Sequence, residues 1–142
     1  MLGFFKKDKP GSAYTGPPIE VDWVRNSRGK FHRLLHIDTT SEGLRGLSGV
    51  YVIWHSGVKP GWVYVDRTSN LASALDTAQE NEDINEYEIN GGLYVTWYPI
   101  VEKHQDGVVK FLNETMKPKV KNPHVSGIKD GAISVVVPKR KG

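Results

Sequence analysis

Cysteine is absent from the chain, which removes disulfides, a thiolate nucleophile and any cysteine-ligated zinc site. No unbroken apolar run approaches the ~18 residues of a membrane span. The opening Met1-Leu2-Gly3-Phe4-Phe5-Lys6-Lys7 has no long apolar core after its charges, so no secretory signal is expected and the cytoplasm is the expected compartment. Lysine and arginine are missing from residues 68–102, which carry seven acidic residues and a net charge of −7. Residues 1–67 carry a net +4 and residues 103–142 a net +6, so a formal charge of +3 conceals basic flanks around an acidic middle.

What is present suits a single domain. A chain of 142 residues buries about two-thirds of its unfolded surface, enough for a core. Residues 1–20 combine Lys6, Lys7 and Lys9 with Pro10, Pro17 and Pro18, and read as a flexible tail. Phe4 and Phe5 beside Lys6 and Lys7 suit weak contact with a membrane interface or a partner groove; scattered apolar residues in a disordered start are the plainer reading. Residues 21–138 form the domain, and 139–142 a basic tail.

Within the domain, 19–24 and 132–137 have strand composition, as do 31–37 and 93–100. Thr39 and Glu42 have capping-box spacing for a short helical turn. Residues 84–89 show helical spacing, and 104–116 place Val108, Val109, Phe111, Leu112 and Met116 on one helical face, ended by Pro118.

The stretch Ser48–Leu75 organises the chain. Gly49-Val50-Tyr51-Val52-Ile53-Trp54 and Trp62-Val63-Tyr64-Val65-Asp66 are strand-like runs rich in β-branched and aromatic residues. Seven residues between them include two glycines and a proline, which predicts a hairpin loop. Thr68 or Ser69 is then placed to cap a helix running from Ser69 to about Glu80.

Gly49-Val50-Tyr51, Tyr64-Val65-Asp66, Thr68-Ser69-Asn70-Leu71 and the later Lys117-Pro118-Lys119 together resemble the GIY-YIG nuclease module, over roughly residues 47–122. The resemblance implies an α+β fold: a small antiparallel sheet, made of the central hairpin and a third strand, flanked by helices. Extra strands are expected at both ends of the chain. It would make Tyr51 and Tyr64 site tyrosines, although two strand aromatics also pair across hairpins for purely structural reasons. The departures matter more. Asp66 stands where the second tripeptide ends in glycine, Ala74 where the helix carries a catalytic arginine, and Val109 where the module has its metal-binding glutamate. Alanine and valine can neither stabilise phosphorane-like charge nor hold a divalent cation. Asp106 and Glu114 are the nearest acids to Val109, and Asp106 lies nearer its helical face.

Three functions follow as expectations. The first is a non-catalytic binding module whose partner is a protein, docking through exposed strand edges and charge patches. The second is a nucleic-acid binder without cleavage, resting on the lysine-rich closing segment. The third is an active endonuclease, the only case requiring Mg²⁺ or Mn²⁺. The candidate ligand-binding surface comprises Tyr51, Tyr64, Arg67, Lys110, Lys117, Lys119, Lys121 and Asn122. Arg67 either contacts a phosphate at the site's edge or is solvated.

Overall fold

The computed structural model describes residues 14–139. The expected Phe4–Phe5 contact and the end of the basic tail, residues 140–142, lie outside the described residues. Four strands form one antiparallel sheet: β1 (His32–Arg33), β2 (Gly49–His55), β3 (Gly61–Thr68) and β4 (Leu93–Tyr98), in the order β1-β4-β2-β3. Among the described residues three helices accompany them: α1 (Leu71–Gln79), α2 (Glu82–Asn85) and α3 (Glu102–Met116). The α+β class and the central hairpin plus third strand are as the sequence predicts.

All seven residues of β2 are buried because it runs between β3 and β4 with a covered face on each side. Its side chains alternate, as a pleated strand requires. Val50, Val52 and Trp54 pack with Val108, Val109, Leu112 and Met116 of α3. Tyr51 and Ile53 pack with Leu71, Leu75 and Ala78 of α1 on the other face. A bulge opposite Ile53 and Trp54 leaves Val63 as the extra residue of β3.

Helix α1 begins at Leu71, two residues later than Ser69, because Asn70 is its N-cap and its side chain accepts from Ser73 N–H. Thr68 serves one step earlier, its hydroxyl accepting from Asn70 N–H at 3.0 Å. The acidic stretch forms α2 and then a 3-10 turn, Glu86–Ile89. The run 31–37 is strand for only two residues before a 3-10 turn, Leu34–His36. Around Thr39, Asp38 Oδ1 accepts from the Thr40 and Ser41 amides, which makes a tight turn in place of a capped helix.

At the chain ends, Ile19 and Val135 form an isolated parallel bridge, so the two terminal segments pair with each other over the α3 face. Within residues 14–20, Tyr14 and Ile19 pack inward while residues 15–18 and Glu20 are exposed. Tyr14 N–H donates to Ala132 O at 3.1 Å, and Ile19 is buried. Apolar contact with Ile133 and Val135 outweighs the proline-rich composition there. Among the described residues, no helix is long and apolar enough to cross a membrane.

The chain covers part of the sheet's margins on both sides. After α3 the chain returns along β3: Lys119 N–H donates to Trp62 O at 3.0 Å and Val120 N–H to Val63 O at 2.9 Å. On the far side, β4 carries β1, and Val24 exchanges bonds with Trp97 O and the Thr96 hydroxyl.

Candidate functional site

Strand β3 delivers polar side chains to both faces of the sheet at its C-terminal end. Tyr64 and Asp66, two apart, share the α1 face, whereas Arg67 points to the α3 face. Asp66 sits directly across the hairpin from Tyr51 and is buried. The Tyr51 and Tyr64 rings lie diagonally, with centroids 6.2 Å apart and planes at 42°. Tyr64 donates its hydroxyl to Asp66 Oδ2 at 3.3 Å, and Arg67 N–H donates to Asp66 Oδ1 at 2.7 Å. His124 Nδ1 approaches Asp66 Oδ2 at 3.5 Å from the returning chain. Burial, and after it the Asp66 charge, pushes both tyrosines well above their ordinary value of 10.0.

Arg67 is half-buried and ion-paired. Its guanidinium donates to Asp106 Oδ1 of α3 at 3.1 Å and lies 4.0 Å from Glu102. Asp66, Arg67, Asp106 and His124 line a cleft of about 780 Å³ with Val109, Lys129 and the hydroxyl residues Thr68, Ser69 and Ser126. Val109 itself is buried in the α3 core at 1% exposure, as its place in the apolar set predicts. Ala74 is half-buried on α1 and packs against the opposite core.

The first amides of α1 are all engaged. Leu71 N–H donates to Leu47 O, Ala72 N–H to Leu44 O, Ser73 N–H to Asn70 Oδ1 and Ala74 N–H to Asn70 O. Gly46 N–H adds a second bond to Asn70 Oδ1 at 3.0 Å. The loop before the helix thus occupies the end where an anion would otherwise bind.

Of the expected surface, only Tyr51, Tyr64 and Arg67 converge here. Lys110 reaches the Asp130 carbonyl at 3.3 Å on the outer side of α3. Lys117 caps α3 in the left-handed region at φ 49°. Lys119 and Lys121 line a separate groove with Asp83, Glu86 and Tyr87, so acids stand among the expected basic patch. Asn122 is buried and structural: it donates to Val65 O at 3.0 Å and accepts from His124 N–H at 2.9 Å.

Sequence reading missed Asp66 and His124 as site members. An acid two residues after Tyr64 in an apolar strand was the available signal for Asp66. None pointed to His124, since its approach depends on the path after α3. Among the described residues, no group of three His, Cys, Asp or Glu side chains is arranged to hold a metal ion. No family model, curated protein or solved structure matches the chain.

Proposed function

We propose that the chain is a non-catalytic, GIY-YIG-like domain that serves as a binding module for a protein partner. The observation that carries this reading is the state of Arg67. The one arginine in the cleft is held by Asp106 and approached by Glu102, beside an aliphatic Val109. A guanidinium answered by carboxylates has little charge left for a phosphorane-like transition state.

A divalent cation fits the same donors poorly. Asp106 is spent on the cationic guanidinium of Arg67, and Asp66 accepts from a hydroxyl and an amide. The engaged amides of α1 and the presence of Asp83 and Glu86 in the groove that holds Lys119 and Lys121 both weigh against a polyanion. Surfaces mixing both signs suit a protein partner, where charge sets register and specificity.

The test has two arms. Binding to short duplex, single-stranded and branched nucleic acid is measured at about 50 and 200 mM salt, where real phosphate contacts weaken steeply. The reading expects no salt-steep binding; a steep loss with salt turns the assignment to a nucleic-acid binder. In the second arm the wild-type chain and an Arg67→Glu variant serve as baits. A protein retained by the first and released by the second supports the cleft as its docking site, and equal retention rejects that cleft.

A further inference from the structure

Two β-branched side chains stand in solvent at the end of the sheet remote from the Asp66 cleft. Val58, at the tip of the β2–β3 hairpin, is 103% exposed, and Ile89, at the end of the 3-10 turn, is 87% exposed. They line one hollow of about 680 Å³ with His55, Lys59 and Asn90. The two loops are fixed to each other. Ser56 donates its amide to Gly92 O at 3.2 Å and its hydroxyl to Gly91 O at 2.9 Å. A Cβ at Gly57 would sit 2.7 Å from Asn90 O, and one at Gly91 2.8 Å from Gly57 N, so glycine at both positions is what lets the loops touch. Beneath them His55 stacks on Tyr87, with centroids 5.8 Å apart and planes at 4°. The fold therefore holds the two apolar side chains outward on a stiff base.

The charges beside them come in opposite signs. Lys59 follows Val58 on the hairpin tip, and Glu86 lies three residues before Ile89 in a 3-10 turn, where such residues eclipse. Both are exposed, and neither takes part in an ion pair among the described residues.

We propose that this platform is a self-association surface on which a second copy of the chain docks about a two-fold axis. Val58 of each copy meets Ile89 of the other, and Lys59 of each meets Glu86 of the other. A two-fold contact needs a patch that complements itself. Here a Val–Lys pair on one loop and a Glu–Ile pair on its neighbour supply both halves. The patch is far smaller than the ~1,000 Å² of a stable interface, so the dimer is weak and concentration-dependent. It lies at the opposite end of β3 from the Asp66 cleft, roughly 15–20 Å along the strand, and stands independently of the partner reading.

Analytical ultracentrifugation of the full chain from about 10 to 500 µM tests it, the range in which small interfaces dissociate. The weight-average mass is expected to rise from 15.9 kDa towards twice that value. Val58→Glu and Ile89→Glu are expected to weaken association at least tenfold, as loss of a central anchor does. Lys59→Glu and Glu86→Lys are each expected to be monomeric, and an equimolar mixture of the two to dimerise again. All four side chains are exposed, and an unchanged thermal midpoint confirms the variants are folded. A wild-type monomer throughout the range overturns the proposal. So does association indifferent to the two apolar replacements, or a mixture of charge-reversed chains that stays monomeric.

Discussion

A buried carboxylate must be held by donors, and Asp66 takes the Tyr64 hydroxyl, the Arg67 amide and the approach of His124 Nδ1. Asp66→Ala leaves a hydroxyl and an amide without an acceptor. The expected loss is about 1–3 kcal/mol of unfolding free energy, read by urea titration, with Asp66→Asn losing less because it keeps an oxygen. The tyrosines beside it give a second expectation. Tyr51 and Tyr64 keep their protons in the fold beyond the value near 10.0 at which they ionise when unfolded. Above that pH the unfolded chain therefore binds fewer protons than the folded one, and stability falls as pH rises. Tyrosine burial contributes in full below pH 10 and is lost progressively above it. Chemical denaturation at pH 8, 10 and 11 checks this, and Tyr51→Phe should flatten the alkaline decline. Replacing Arg67 with Ala is expected to change stability by less than about 1 kcal/mol, since its ion pairs are partly exposed.

Among the elements, α3 supplies Asp106 and Val109 to the cleft, and two backbone positions at Gly107 and Lys117 set how it packs and ends. Gly107 lies against the returning chain, where a Cβ would meet Gly131 O at 2.7 Å. Alanine favours a helix over glycine by about 1 kcal/mol, but a backbone oxygen cannot yield as a flexible side chain does. Gly107→Ala is therefore expected to lower the thermal midpoint despite its better propensity. Lys117 ends the helix in the left-handed region at φ 49°, where a side chain costs about 1–2 kcal/mol. Lys117→Gly should raise stability by about 1 kcal/mol, measured in urea.

The hairpin, α1 and α3 were legible because each announces itself locally, through β-branched runs, a polar stretch at Thr68-Ser69 just before the true cap Asn70, and one apolar helical face ended by Pro118. The part-covered margins were not legible. Val120 N–H meeting Val63 O, and Asn122 meeting Val65 O, join residues 57 apart in sequence. The same holds for Asp66–His124 and Arg67–Asp106, whose proximity depends on how α3 and its following segment lie on the sheet.

At the scale of the whole molecule, the charge blocks of the sequence are folded against one another rather than presented as separate poles. Lys119 and Lys121 come from the basic end and share a groove with Asp83 and Glu86 of the acidic middle. Arg33 meets Glu88 at 3.1 Å, and Arg67 meets Asp106 and Glu102. A polyanion approaching the cleft thus encounters an Arg67 already answered by carboxylates, over distances within about a Debye length. The account turns on that neutralised cleft lacking the groups for phosphodiester hydrolysis. The direct measurement is prolonged incubation of excess protein with supercoiled and branched DNA in Mg²⁺ or Mn²⁺. The account predicts substrate that stays intact in both metals. Metal-dependent nicking that vanishes in Tyr51→Phe would contradict it.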